Sequence, residues 1–188
     1  MREWLESLLE PQVPLILIVL LRLLVGYEFF IQGNDKMRQG YFQKVDNKEV
    51  LHPLTIRLKV WIEEERKVKA HGVGDVLAGR AVRMFKWYRF FLENAVLTNV
   101  WVFAVLVTGA ELALGVLLVL GLLTRVASVV GLLLVANYLF ATWHYGFPYT
   151  PLNILFLALL VVFLLVGAGR CLGLDSLLHD RFPEVPIF

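Results

Sequence analysis

Residues 14–31 read PLILIVLLRLLVGYEFFI, and residues 101–123 read WVFAVLVTGAELALGVLLVLGLL. Each stretch is long enough to cross a bilayer as a helix, because a spanning helix needs about 20 mostly apolar residues. Each also carries a full charge near its middle, Arg22 in the first and Glu111 in the second. A charge at that depth costs about 2.5–3.5 kcal/mol on insertion scales, so such residues face a bundle interior, pair with each other, or serve a ligand.

The composition favours a membrane protein. Of the 188 residues 59% are hydrophobic, whereas a soluble domain is closer to half apolar. The net charge of +2 is small, so no nucleic-acid partner is predicted. The single cysteine excludes an internal disulfide and a cysteine-ligated metal cluster.

The apolar pattern predicts an all-α, polytopic membrane protein, a bundle of four transmembrane helices. The predicted spans cover about residues 12–33, 96–123, 126–143 and 151–167. Helices are required because lipid offers the backbone no hydrogen-bond partners. An even number of spans leaves both termini on the same side of a multi-pass protein, which we expect in the cell (plasma) membrane in contact with membrane lipid.

Residues 34–94 form a polar insert between the first two spans. Its stretch 52–72, HPLTIRLKVWIEEERKVKAHG, predicts a charged amphipathic helix, and 76–94, VLAGRAVRMFKWYRFFLEN, interleaves basic and aromatic residues. The second stretch is typical of a helix lying in the membrane interface. A solvated amphipathic helix packed on the rest of the insert explains the pattern equally well. Residues 1–10 predict a further short interfacial helix.

Helical spacing places several notable residues on common faces. On the first span these are Arg22, Gly26, Phe29, Phe30 and Gly33, and on the second Thr108, Glu111 and Gly115. Counted from the predicted span ends, Arg22 and Glu111 differ in depth by roughly 6 Å at about 1.5 Å per residue. The spacing therefore predicts an Arg22–Glu111 ion pair, whose role is either structural or functional.

A second polar set lies nearer the insert. It comprises Glu28, Lys36, Asn137, His144 and Asn153, with aromatic neighbours Trp143, Tyr145 and Tyr149. With Arg22 and Glu111 as a floor, this set predicts a pocket for a quinone head group, which needs apolar walls, hydrogen-bond donors and a proton acceptor. Arg22 would polarise a quinone carbonyl, and Glu111 or Glu28 would supply protons. Alternatively, the aromatic residues are interfacial anchors and the asparagines only link helices.

Other cofactors are not expected. Only one of the four histidines, His144, is near a span, whereas a bis-histidine haem needs two at matched depth. Zinc-like spacing and a flavin-binding motif are absent from the sequence. The sequence therefore predicts no haem, flavin or metal.

Three motifs resemble the DoxX/DoxD family: GNDKM at 33–37, ELALGVLLVLGLLTRVAS at 111–128, and GAGRCLGLDSLL at 167–178. The stretch 87–99, WYRFFLENAVLTN, is similar to the DoxD branch. The family positions that this sequence matches are Arg22, Gly33, Lys36, Glu111, Gly115, Thr124, Arg125, Gly167, Gly169, Arg170 and Asp175.

The resemblance implies a membrane subunit of a thiosulfate:quinone oxidoreductase, taken as its large subunit, that works with a DoxA-like small subunit. Electrons from thiosulfate would then reach the quinone pool. Whether this chain is itself an enzyme stays open, because no redox centre is recognised in its sequence. Two alternatives remain: a non-catalytic scaffold subunit of a respiratory or redox complex, with the insert as its docking surface, and a lipid or isoprenoid binder.

Overall fold

The computed structural model describes residues 12–44, 52–67, 85–143, 148–170 and 172–181, and the regular structure there is entirely helical. In chain order the helices are α1 (Gln12–Arg38), α2 (Pro53–Lys67), α3 (Lys86–Phe91), α4 (Val100–Leu120), α5 (Thr124–Thr142), α6 (Tyr149–Val166) and α7 (Leu174–Arg181). A π-helical turn, Leu92–Val96, continues α3, and a 3-10 turn, Ala168–Arg170, follows α6. The predicted helix at residues 1–10 lies outside the described residues.

Four of these helices, α1, α4, α5 and α6, are long and apolar enough to cross a membrane. The predicted all-α, four-span architecture is therefore confirmed. Helix α1 continues to Arg38, beyond the expected end at Gly33, and Lys36 and Arg38 lie in its last turn, where basic side chains suit the negative end of the helix dipole. Helix α4 begins at Val100, after the expected start at 96.

Helices α1 and α4 run antiparallel in close contact, because glycines lie where the two backbones meet. A Cβ atom added to Gly115 would lie 2.7 Å from the Cα of Phe30, and one added to Gly33 would lie 2.9 Å from the backbone nitrogen of Leu112. Gly26, two turns before Gly33 on α1, meets Leu118 and Val119 of α4 in the same way. Small residues that let backbones approach are a usual basis of helix packing in membranes.

The central core lies among all four spanning helices. Its buried members are Val25, Phe29, Leu114, Leu118, Ala127, Val135, Leu160, Phe163 and Ala168. Helix α5 packs chiefly on α6, with Gly131 against Leu160. Large apolar side chains such as Leu165 and Leu133 point outward, 75% and 71% exposed, as a lipid-facing surface requires.

The insert helices cover one end of this bundle, which we call the insert end. Leu58 of α2, Tyr88 of α3 and the π-helical residues Leu92 and Val96 form a second buried cluster with Ala141 of α5. The insert is thus packed onto the bundle by apolar contacts. The same helices close a cavity at this end.

We predict that Gly115→Ala destabilises the protein, since its new methyl group would meet the backbone of Phe30. Overpacking of this kind costs about 1–3 kcal/mol. Thermal unfolding of the purified protein in detergent, followed by circular dichroism, should show a lower midpoint than the wild type. Gly109→Ala is the matched control on the same helix, because a Cβ there meets nothing within 4 Å. Equal midpoints for the two variants would contradict the close α1–α4 contact.

Candidate functional site

A cavity of about 350 Å³ lies at the insert end, between the four-helix bundle and the insert helices. Its wall is mostly apolar and aromatic, with side chains such as Leu58, Phe91 and Phe156. Polar and charged side chains are set into this wall, a combination that is typical of small-molecule sites. The polar and charged lining residues are Glu28, Gln32, Lys36, Tyr41, Arg57, Tyr88, Glu111, Asn137, Tyr138, Thr142, Tyr149 and Asn153.

The innermost polar group is a triad of Lys36, Glu111 and Tyr138. The Lys36 ammonium forms a salt bridge with Glu111 Oε1 and donates a hydrogen bond to the Tyr138 hydroxyl at 2.9 Å. The Tyr138 hydroxyl in turn donates to the same Glu111 oxygen at 2.5 Å, and its ring centroid lies 4.8 Å from Lys36 Nζ. Glu111 is 1% exposed and Lys36 9%, so the triad joins α1, α4 and α5 inside the bundle.

This triad retains one donor and one acceptor for a ligand. An ammonium has three N–H donors, and Glu111 and Tyr138 engage two of those of Lys36. The second carboxylate oxygen of Glu111, Oε2, is buried and accepts no hydrogen bond from the described residues. A buried carboxylate oxygen without a donor is costly, which makes it a natural partner for a ligand hydroxyl.

A second carboxyl group, Glu28, lies further from the insert end on the same face of α1. It precedes Lys36 by two helical turns, about 12 Å along the axis at about 1.5 Å per residue. Its Oε1 accepts a hydrogen bond of 3.0 Å from Gln32 Nε2. Both side chains line the cavity.

Hydrogen bonds also fix the two asparagines. The Tyr88 hydroxyl donates to Asn137, lying 3.0 Å from its Oδ1, and burial raises the pKa of this tyrosine, so it remains a donor at physiological pH. Asn153 donates to Thr142 Oγ1 at 2.9 Å and so links α6 to α5. Burial likewise raises the pKa of Tyr41.

The structure brings six of the predicted pocket residues to one cavity: Glu28, Lys36, Glu111, Asn137, Tyr149 and Asn153. Trp143 is elsewhere, because its side chain packs on Phe85 with ring centroids 5.5 Å apart. It follows Tyr138 by five residues and so points to another face of α5. His144 and Tyr145 lie outside the described residues.

Sequence reasoning missed Tyr138, Tyr88, Tyr41 and Arg57, which also line the cavity. Tyr138 carried a usable signal, since a tyrosine inside an apolar span needs a partner for its hydroxyl. Tyr41 and Arg57 carried none, because only the tertiary packing of the insert brings them to the bundle.

The predicted Arg22–Glu111 pair is wrong. The Arg22 guanidinium lies against Gly121, the residue that caps the end of the antiparallel α4, about ten residues or 15 Å from Glu111 along the helix. The two residues lie at different depths because α1 extends past Gly33 and α4 begins after 96, so the helix ends from which the depths were predicted are displaced. Arg22 is therefore not part of the cavity.

Arg22 is held by main-chain oxygens at the opposite end of the bundle. Its Nη1 donates to Ala168 O at 2.7 Å and its Nη2 to Leu172 O at 3.4 Å. Helices α4 and α6 both end beside it, at Gly121 and Gly167, each with φ of +64°. Helix C-termini carry partial negative charge, so two of them stabilise this buried cation.

Asp175 is a buried anion at the same end of the bundle as Arg22. Its carboxylate accepts hydrogen bonds from the backbone nitrogens of Leu123 and Thr124 at 2.6 and 2.9 Å and from Thr124 Oγ1 at 2.6 Å. These groups form the N-terminus of α5, where an anion is favoured. They also hold Leu123 at a φ of 49°, which a non-glycine residue adopts only at a cost.

The residues that carried the family resemblance thus form two separate clusters. Gly33, Lys36, Glu111 and Gly115 lie at the α1–α4 contact and the cavity floor. Arg22, Thr124, Gly169 and Asp175 lie together at the opposite end, where Gly169 N donates to Thr124 Oγ1 at 3.0 Å. Within the parts of the chain that the structure describes, no group of three or more His, Cys, Asp or Glu side chains is arranged to hold a metal ion.

Comparison with known proteins gives one finding. A family model described as "TQO small subunit DoxD" matches residues 80–187, more than half of the chain. That description names a small subunit and so corrects the expectation of a large one. No curated protein and no solved structure matches this chain.

We predict that Asp175→Asn lowers the stability of the bundle. An amide has one acceptor oxygen and no charge, so at least one charge-assisted hydrogen bond at the start of α5 is lost, at about 1.5–3 kcal/mol. The thermal midpoint in detergent should fall by roughly 3–12 °C, because 1 kcal/mol shifts it by about 2–4 °C in a chain of this size. Asp35→Asn, on the exposed side of α1, is the matched control and should leave the midpoint unchanged. An unchanged midpoint for Asp175→Asn would exclude its capping role.

Proposed function

The chain belongs to the DoxD family, and from that premise we propose that it is the quinone-linked membrane subunit of a thiosulfate:quinone oxidoreductase-type complex. In this proposal the cavity at the insert end binds the quinone head group. A partner subunit, DoxA-like or part of a larger redox complex, delivers electrons from thiosulfate.

One observation carries the proposal: the cavity floor offers both hydrogen-bonding partners that a quinone and its quinol require. A quinone carbonyl is an acceptor and matches the remaining N–H of Lys36. A quinol hydroxyl is a donor and matches the open Oε2 of Glu111. Both redox forms are therefore accommodated without moving the triad.

Reduction of a quinone consumes two electrons and two protons to give the quinol. Lys36 would polarise one carbonyl, the role that the sequence assigned to Arg22. Glu28, which lines the cavity outside the ion pair, would hold one proton for transfer to a quinone oxygen, and Glu111 would take up the second proton on its open Oε2 before passing it on. Tyr138 would act as a positioning residue, because its hydroxyl bonds both Lys36 and Glu111.

The scaffold alternative is less well supported. A structural ion pair requires no adjacent space, whereas Lys36 and Glu111 border a cavity of about 350 Å³. The insert helices that would serve as a docking surface bury Leu58, Tyr88 and Leu92 against the bundle instead. Their packing leaves only their outer faces for a partner.

We predict that Tyr138→Phe and Glu111→Gln weaken binding of quinone head groups. Loss of a hydrogen bond worth about 1–1.5 kcal/mol corresponds to roughly five- to tenfold weaker affinity. The probes are two tailless quinones, ubiquinone-0 and menadione, each measured in its oxidised form and as the reduced quinol; Glu111→Gln should weaken binding of the quinol form, whose hydroxyl donates to Glu111 Oε2. Binding to the purified protein in detergent is measured by equilibrium dialysis with chromatographic quantification.

Tyr27→Phe is the matched control, because Tyr27 is 59% exposed on α1 and does not line the cavity. It should bind both probes as the wild type does. Wild-type protein that binds neither quinone would refute the proposal and favour the scaffold. Binding that is unaffected by Tyr138→Phe and Glu111→Gln would refute this site.

A further inference from the structure

The cavity is open towards one side of the bundle. The lining residues contributed by α4 and α5 are buried or half-buried. By contrast, Gln32 of α1 and Tyr149 and Leu152 of α6 line the cavity and are exposed, the last two by 52% and 48%. Arg57 of α2 is the exposed lining residue from the insert.

This open side coincides with the loosest contact between neighbouring spans. Helix α1 packs chiefly on α4, and α5 packs chiefly on α6. Helices α1 and α6 meet through Phe29 and Phe156, whose ring centroids are 6.2 Å apart. Gln32 follows Phe29 by about one turn, and Leu152 precedes Phe156 by about one turn. The gap between α1 and α6 beside this aromatic pair is called the seam. Because the helices are antiparallel, Gln32 and Leu152 both border the seam on the insert side of Phe29 and Phe156.

The seam has apolar side chains on one edge and polar side chains on the other, unlike a surface that only faces lipid. Leu152 and Phe156 provide an apolar edge on α6, whereas Glu28 and Gln32 provide a hydrogen-bonded polar edge on α1. An ionisable side chain beside lipid is expensive and usually marks a ligand or proton pathway. An apolar edge next to a polar one suits a molecule with a polar head and a hydrocarbon tail.

We propose that the seam between α1 and α6 is a lateral portal through which an isoprenoid-tailed quinone enters the cavity from the bilayer. The head group passes Glu28 and Gln32 to reach Lys36 and Glu111. The tail stays in the seam against Leu152 and Phe156 and continues into the lipid. This inference rests on the proposed function, because it assigns the route and the tail site of the same quinone.

The test compares matched quinones with and without a tail. Ubiquinone-0 is paired with ubiquinone-2, and menadione with menaquinone-2, each measured by dialysis on full-length protein in detergent. Leu152→Trp narrows the portal and should weaken binding of both tailed quinones at least tenfold, while the tailless ones change less than twofold. Leu165→Trp makes the same change at a 75% exposed site near the other end of α6 and should affect neither class.

Equal behaviour of Leu152→Trp and Leu165→Trp, with quinone binding intact in the wild type, would overturn the portal alone. Absence of quinone binding in the wild type would overturn the proposed function and the portal together. A second measurement does not depend on a folded variant: wild-type protein is photolabelled with a ubiquinone analogue that carries a diazirine on its tail. Label on peptides of α1 and α6 is expected. Label confined to the insert helices would show entry past Arg57 and overturn the portal.

Discussion

The close antiparallel contact between α1 and α4 is the constraint on which both polar clusters depend. Gly33 and Gly115 allow the two backbones to meet almost without intervening side chains. At this separation Lys36 reaches Glu111 at one end, and Arg22 reaches the end of α4 at the other. A larger residue at either glycine would separate partners whose charges are tolerable inside the bundle only when they are satisfied.

Arg22 and Lys36 are both buried cations, and they are neutralised in different ways. Arg22 is surrounded by main-chain carbonyls and helix C-termini, which are fixed dipoles that hold no proton. It therefore fastens the segment after α6 to the end of the bundle, together with Asp175. Lys36 instead pairs with a carboxylate and a tyrosine beside a cavity, where protons and a ligand can be exchanged.

The insert is part of the folded bundle and does more than connect two spans. Its helices α2 and α3 contribute Leu58 and Tyr88 to a second core and at the same time close the cavity above the triad. Among the lining residues that the structure describes, the exposed ones lie near Arg57 in the insert and at the seam between α1 and α6. The apolar edge of that seam is the reason why the proposed route for a lipid-soluble quinone runs through the bilayer.

The sequence by itself determined the four spans, the helical class and part of the polar lining of the cavity, because apolar length and charge within a span depend on local composition. It also indicated that Glu28, Lys36, Glu111, Asn137 and Asn153 belong to one polar set. Only the tertiary structure decided the partners of these charges. Glu111 bonds Lys36 and Tyr138, and Arg22 donates to the main-chain oxygens of Ala168 and Leu172. The physical reason is that pairing depends on helix register, and an error of about five residues in a helix end moves a side chain by about 7 Å along the axis.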